Sequence, residues 1–170
     1  IDSGSGDFEG AGNIARIGTD GSVDSDFNDG GSGFNGTVNV IHVLPDDRIL
    51  VGGEFTSYNG TTANRLICLE ADGSIDTDFL SNTGSGFNSS IDAIVVETNG
   101  KLLVGGTFTS FDSGSNVEGL IRLDADGSAS ASTLNLPFNT GWNTRIEDIH
   151  LADDGDIWVT GALYINYTGT

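Results

Sequence analysis

Short apolar runs separated by turn residues recur along the whole chain. The runs have strand length and end at Gly, Asn, Asp or Pro, as in residues 38–43, 48–55 and 65–69. This length and the content of Val, Ile, Leu and Phe are typical of β-strands. No segment keeps helical spacing beyond two turns. The pattern therefore predicts an all-β chain.

The positions of polar residues distinguish two kinds of strand. The first run of each unit carries a polar residue between apolar ones, at Asn39, Asp92 and Glu147, which predicts one buried and one solvated face. The second run is continuously apolar (49–51, 102–104 and 157–159), so we expect it to be more deeply buried in all three units. The pairs Asp46-Asp47, Asn99-Gly100 and Asp154-Gly155 are typical of hairpin turns joining the two runs.

Three sets of markers repeat with one period of slightly more than fifty residues. Asp-Gly turns begin at residues 20, 72 and 126, and glycine–aromatic turns carry their aromatic at 34, 87 and 142. Gly-Gly-x-Phe occurs at 52–55 and 105–108, with an eroded copy at 160–163. Each full unit offers four short runs, the fourth ending at Phe27 or Phe79. We expect a β-propeller or propeller-like repeat of four-stranded antiparallel blades; the alternative is a β-solenoid or a stacked β-prism.

The markers divide the single repeat domain, 1–170, into about three blade equivalents with split terminal blades. Residues 1–33 form a partial blade, 34–86 and 87–141 form blades, and 142–170 form a second partial blade. Closed propellers have roughly four to eight blades. We therefore expect a fragment of a longer array, a ring of several chains, or head-to-tail addition in which terminal half-blades complete each other. A head-to-tail contact that does not close makes a filament.

Several stretches resemble a known repeat. Asp-Gly-Ser-Ile-Asp-Thr-Asp-Phe (72–79), Gly-Ser-Gly-Phe-Asn (84–88), Leu-Leu-Val-Gly-Gly-x-Phe (102–108) and Tyr-Asn-Gly (58–60) resemble the delta-60 repeat, a β-propeller-like repeat of large bacterial and viral secreted, surface and phage-tail proteins. The resemblance implies a structural, adhesive or binding module and supplies no catalytic residues. The third unit departs from the pattern, since Ser and Ala fill 128–132 where earlier copies have acids.

The charge of the chain restricts its partners. Its formal net charge is −19, from 25 acidic and 6 basic side chains. Nucleic acids and anionic membrane surfaces attract Lys and Arg clusters, so we expect neither as a partner and no membrane insertion. Strong acidity suits a salty or extracellular setting. With the resemblance to the delta-60 repeat, it leads us to expect an extracellular, cell-surface or virion location. The single Cys68 excludes an internal disulfide and lies in an apolar run, where it is typical of a core residue.

Clustered carboxylates in the Asp-Gly turns are the candidate metal ligands. Ca²⁺ prefers carboxylate and carbonyl oxygens. The spacing differs from that of an EF-hand, and Asp also favours turns by hydrogen-bonding its own backbone. Both a structural turn and a calcium site are therefore open, and no other cofactor is indicated. The six candidates are Asp20, Asp24, Asp26, Asp72, Asp76 and Asp78.

Aromatic residues beside Asn and Asp in loops are the candidate binding residues. Exposed rings there would stack on sugars while polar neighbours bind hydroxyls; alternatively, the rings fill gaps between blades. The four candidates, for a glycan or for an interface, are Tyr58, Phe111, Trp142 and Tyr167.

The chain lacks a recognisable catalytic set. His42 and His150 hold the same position in different units, and no further ligands lie close in sequence. The match to G-x-G-x-x-G at 31–36 is followed by a strand, whereas a nucleotide site needs a helix there. We expect a non-enzymatic, self-associating module of an extracellular fibre, filament or phage-tail-like assembly, or alternatively a glycan- or receptor-binding adhesion module.

Overall fold

The computed structural model describes residues 12–115, 117–132 and 144–163. The first repeat contains five strands and a helix: β1 (Val38–Val43), β2 (Ile49–Gly53), β3 (Ser57–Tyr58), β4 (Thr61–Thr62), β5 (Leu66–Leu69) and α1 (Thr77–Asn82). The second contains β6 (Ile91–Val96), β7 (Leu102–Gly106), β8 (Ser110–Phe111), β9 (Gly114–Ser115) and β10 (Leu120–Leu123). The third contains β11 (Arg145–Leu151) and β12 (Ile157–Ala162).

The long strands form three small antiparallel sheets, here called blades. Blade 1 has the order β1-β2-β5, blade 2 has the order β6-β7-β10, and blade 3 is the pair β11-β12. The first strands of the three blades lie beside one another, β1 against β6 and β6 against β11. The fold is thus all-β and propeller-like, as the sequence predicts.

The expected fourth strand is reduced to a single antiparallel bridge. Leu69 pairs with Ile75, and Leu123 pairs with Ala129 in the next repeat. After the first of these bridges the chain enters α1, because the Asp76 carboxylate accepts the backbone N–H of Phe79 at 3.0 Å and caps the helix. Phe79 then points inward and is only 2% exposed. A short capped helix therefore replaces the end of the predicted strand.

In the first two repeats an asparagine anchors the glycine–aromatic turn to the loop after the second strand. The Asn35 side-chain carbonyl accepts the backbone N–H groups of Thr56 and Ser57, at 2.8 and 2.9 Å. Asn88 does the same with Thr109 and Ser110, at 2.9 and 3.1 Å. These hydrogen bonds satisfy backbone N–H groups that have no partner in the short strands, which explains the repeated Phe-Asn pair.

The core lies between blades rather than within one. Leu50 and Cys68 of blade 1 pack with Ile91 and Val104 of blade 2. Leu103 of blade 2 packs in the same way with Ile146 and Ile149 of blade 3. Every residue of β2 and β7 is buried, as the sequence predicts.

The same prediction is wrong for β12. Its residues alternate between half-buried and exposed over 157–159, and Trp158 is 65% exposed. The blade that follows β2 or β7 covers one face of that strand, and no further blade covers β12 among the described residues. In that part of the chain no helix has the length and apolar character needed to cross a membrane.

Candidate functional site

A glycine in the second strand sets how closely two blades approach. A Cβ atom on Gly52 would lie 2.6 Å from Cγ2 of Ile91 in the next blade. A Cβ atom on Gly105 would lie 2.6 Å from Cγ2 of Ile146. Such distances are shorter than carbon atoms tolerate, so only glycine fits. The residue in the corresponding position of β12 is Thr160, which pairs with Asp148 as Gly105 pairs with Ala93.

The two ends of this stack of blades present different surfaces. Ile41 and Val43 on β1 are 49% and 61% exposed, whereas Ile94 and Ile149, which correspond to Ile41, are each 4% exposed. At the other end, Trp158 is exposed. Blade 1 thus ends in an aliphatic face and blade 3 in a face with an aromatic residue. We call them the blade 1 face and the blade 3 face.

The first aspartate of each acidic turn hydrogen-bonds its own turn. Asp20 accepts the backbone N–H and the hydroxyl of Ser22, at 2.9 and 2.6 Å, and Asp72 accepts the backbone N–H of Ser74 at 2.8 Å. Hydrogen bonds from these serines hold the pKa of both carboxyls below the usual value. Both aspartates are therefore charged turn residues at neutral pH.

The second aspartate of each acidic turn, Asp24 or Asp76, binds an arginine, and Asp76 also caps a helix. Asp24 accepts from Arg16 at 2.8 Å, and Asp76 accepts from Arg48 at 2.7 Å. In the second repeat Ser130 stands at the position of Asp76, and its hydroxyl accepts from Lys101 at 2.9 Å. A basic side chain is therefore bound at this point whether the acceptor is a carboxylate or a hydroxyl.

These contacts bear directly on the predicted calcium site. Asp26 and Asp78 are exposed, and Asp78 lies in the first turn of α1. Across residues 12–115, 117–132 and 144–163, no three His, Cys, Asp or Glu side chains come together as metal ligands would. The structure places the six aspartates in turns, ion pairs and a helix cap, and a calcium site among them stays a prediction from sequence.

The half-buried ion pair between Asp76 and Arg48 predicts a pH-dependent stability. Burial alone would raise the pKa of Asp76, but the Phe79 N–H and Arg48 together lower it. The stabilisation is therefore complete above the unfolded-state pKa of about 3.9 and is lost as the pH falls through the lower folded-state pKa. We expect Asp76→Asn to cost about 1 kcal/mol at pH 7 and less at pH 3, as measured by urea unfolding.

The control for this prediction is Asp78→Asn, which removes an exposed carboxylate from the same helical turn. Its effect on the free energy of unfolding should be small at both pH values, because exposed charges contribute little. An Asp76→Asn penalty that stayed constant between pH 7 and pH 3 would contradict the assigned role of the ion pair.

Two of the four predicted binding aromatics are buried between structural elements. Tyr58 has no exposed surface, and its hydroxyl donates to the carbonyl of Gly73 at 2.7 Å. Its ring packs against Phe34, and burial raises the pKa of Tyr58 to about 12. Phe111, in the same position of the second repeat, is 6% exposed and packs against Phe87. Neither ring offers a face to a sugar; Trp142 and Tyr167 lie outside the described residues.

The histidines and the cysteine do not form a reactive group. His42 lies in blade 1 and His150 in blade 3, separated by blade 2. Cys68 is fully buried, and burial raises the pKa of its thiol to about 12. A thiol with that pKa is protonated at neutral pH and is a poor nucleophile.

In the described part of the chain, clefts between neighbouring blades include a larger and a smaller one. The larger, of about 570 Å³, lies between the β1–β2 and β6–β7 turns and has Arg48 and Glu97 in its wall. Both residues are in ion pairs, Arg48 with Asp46 and Asp76 and Glu97 with Arg122 at 2.7 Å. The walls of this cleft therefore hold turns and blades together.

The smaller cleft, of about 350 Å³, is polar and lies near the start of the first strands. In it, Asn39 of β1 donates to Asp92 of β6 at 2.9 Å, and Arg145 of β11 approaches Asp92 at 3.4 Å. Asn39 and Asp92 are two of the polar positions noted in the first runs. Their role is to connect neighbouring blades.

The blade 3 face is the feature that reading the sequence missed. The segment Ile157-Trp158-Val159 looks like Leu102-Leu103-Val104, so its apolar character suggested burial. The signal for exposure was Thr160, where both earlier copies have glycine. Its meaning becomes clear only when Gly52 and Gly105 are seen to contact the next blade.

Comparison with known proteins supports the repeat assignment. Residues 44–79 and 97–129 match a family model described as "Domain of unknown function (DUF5122) beta-propeller". Each matched stretch begins near the hairpin turn after the first strand and ends just after the Asp-Gly turn. No curated protein and no solved structure matches the chain. The chain thus contains β-propeller repeats similar to those of that family.

Proposed function

We propose that the chain is a non-enzymatic structural repeat module, of the delta-60 type, in an extracellular fibre, filament or phage-tail-like assembly. The observation that carries this proposal is the blade 1 face. Ile41 and Val43 are exposed there, although the residues in the position of Ile41 are buried by a neighbouring blade in both later repeats. The face is suited to a further blade, as an array of blades requires.

The chemistry of the partner at the blade 1 face follows from the two interfaces within the chain. In each of them an isoleucine packs against a glycine of the preceding second strand. The partner of Ile41 should therefore be a strand with glycine at that position. A blade of the same repeat type meets this condition.

A non-enzymatic role agrees with the use of the candidate side chains. Asp20, Asp24, Asp72 and Asp76 each hold a turn, a basic side chain or a helix end. The extracellular location is supported by the delta-60 resemblance and by the net charge of −19.

Joining of identical copies through their terminal half-blades stays a prediction, and Thr160 provides its test. In such a join the blade 3 face of one copy would meet the blade 1 face of the next, with Thr160 in the place of Gly52 or Gly105. Thr160→Gly should therefore strengthen self-association, and Ile41→Asp should weaken it, in sedimentation velocity over a wide range of concentrations.

The control is Thr61→Asp, because Thr61 is exposed on β4, inside a complete blade and outside both terminal half-blades. It should leave the sedimentation profile unchanged. If the wild-type chain and Thr160→Gly both stay monomeric at the highest concentration, the self-association proposal is wrong.

The alternative function, adhesion to a glycan or a receptor, has a different structural basis from the one that the sequence predicts. Tyr58 and Phe111 are buried, so the loops that contain them do not offer exposed rings. An exposed aromatic residue is instead found in blade 3, at Trp158.

A further inference from the structure

The blade 3 face has a different composition from the equivalent faces of the other blades. Four residues form this face in each blade, two on the first strand and two directly opposite on the second. Three of the four residues in blade 1 and all four in blade 2 are apolar or glycine. The sets are Val40, His42, Leu50 and Gly52; Ala93, Val95, Leu103 and Gly105; and Asp148, His150, Trp158 and Thr160.

The four-residue set of blade 3 also differs from those of blades 1 and 2 in solvent exposure. Leu50 and Leu103 have no exposed surface, whereas Trp158, in the same position, is 65% exposed. Asp148, His150 and Thr160 are exposed as well. An exposed tryptophan beside three hydrogen-bonding side chains is suited to binding a ligand, because tryptophan offers a large apolar contact area together with a polar N–H group.

A further blade does not fit on this face in the manner of blades 2 and 3. At Gly52 and Gly105 even a Cβ atom would collide with an isoleucine of the next blade. Thr160 carries a Cβ atom, a methyl group and a hydroxyl there. An approach as close as that at Gly52 and Gly105 is thus excluded at the blade 3 face while Thr160 is present.

The size of the face favours a small ligand over a protein. Two strands about 4.8 Å apart, each with two residues about 7 Å apart, present an area on the order of 100–200 Å². A stable protein interface needs about 800 Å² on each partner. One or two sugar rings match the area of the blade 3 face.

The platform is rigid enough to hold a ligand. Ile146 and Ile149, on the opposite side of β11, are 0% and 4% exposed and pack into blade 2. One carboxylate oxygen of Asp148 accepts the backbone N–H of Ile149 at 2.9 Å, which orients the carboxylate. Binding therefore needs little ordering of the protein, which favours affinity.

From these observations we propose that the blade 3 face binds an uncharged saccharide. The indole ring of Trp158 stacks on the apolar C–H face of a pyranose ring. Asp148 accepts hydrogen bonds from sugar hydroxyls, and His150 and Thr160 add donor and acceptor groups at the edges. The net charge of −19 repels anionic glycans and leaves neutral ones unaffected.

The experiment uses the full 170-residue chain on an array of neutral hexose and N-acetylhexosamine oligosaccharides. We expect binding to at least one class of these glycans. A bound glycan is then titrated in solution by calorimetry against the wild type and Trp158→Ala. Loss of the stacking contact should weaken binding roughly tenfold or more. Asp148→Asn, which keeps the backbone hydrogen bond, should weaken it less.

Val43→Ala is the matched control, because Val43 is a similarly exposed apolar residue on the opposite end of the stack. It should leave glycan binding unchanged. Far-UV circular dichroism and urea unfolding establish that Trp158→Ala is folded, as its exposed position predicts. The proposal is wrong if no neutral glycan binds, or if Trp158→Ala binds as well as the wild type. It is also wrong if copies of the wild-type chain cover Trp158 by self-association that Trp158→Ala abolishes.

Discussion

Gly105→Val is expected to destabilise the protein by about 3 kcal/mol or more, because it forces blades 2 and 3 apart. The Cβ atom alone would lie 2.6 Å from Cγ2 of Ile146 and 3.0 Å from Cδ1 of Ile149. Gly105 does not need a positive φ angle, so the penalty comes from the contact and not from backbone strain. Valine also favours strands, and this preference opposes the expected loss.

Urea unfolding monitored by circular dichroism measures this effect. The matched control is Thr160→Val, the same side chain in the same position of blade 3. Because Thr160 is exposed, this substitution should change the free energy of unfolding by less than about 0.5 kcal/mol. Equal effects of the two substitutions would show that blades 2 and 3 do not pack through Gly105.

Tyr58→Ala is expected to lower the free energy of unfolding by about 3–5 kcal/mol, since it removes a fully buried ring from the core cluster that packs on blade 1. Tyr58 has no exposed surface and lies 4.5 Å from Phe34 between ring centroids. Tyr58→Phe should cost about 1 kcal/mol, because only the hydrogen bond to the buried carbonyl of Gly73 is lost. Phe111 fills the same position in the second repeat, so phenylalanine fits the site.

Trp158→Ala is the control for this pair. It also truncates a large aromatic residue, but one that is 65% exposed, and its stability should stay within about 0.5 kcal/mol of the wild type. Equal losses from Tyr58→Ala and Trp158→Ala would contradict the assignment of Tyr58 to the core and of Trp158 to the surface.

Local patterns in the sequence predict most strands and turns correctly. Residues 38–43 alternate in polarity, and β1 spans the same residues. The Asp-Gly turns need a residue with positive φ, and Gly73 and Gly127 have φ angles of 87° and 89°. These features depend on neighbours along the chain, so the sequence is sufficient for them.

At the end of the predicted fourth strand, the same local sequence is compatible with a strand and with a helix start. Asp76 and Phe79 were assigned to a strand because they follow an Asp-Gly turn. An aspartate three residues before a buried apolar residue is also a helix start, and α1 begins directly after Asp76. In the structure Asp76 caps α1 and also binds Arg48, which lies in the turn between β1 and β2.

The candidate sites depended even more on distant contacts. In sequence Tyr58 lies in a polar loop, yet it is buried by Phe34 and by the turn that contains Gly73. Trp158 lies in an apolar run, yet it is exposed. Local composition predicts the opposite for each, because burial depends on which element packs against a residue.

The sequence by itself determined that the chain repeats, that its elements are short strands, and where they turn. Periodicity, chain-breaking residues and charge are properties of neighbouring residues, so no coordinates were needed for them. Only the tertiary structure decided that Gly52 and Gly105 are contact points between blades and that Thr160 ends this series. The physical reason is that the space available to a side chain is determined by the next blade, whose contacting residues are about forty or more positions away along the chain.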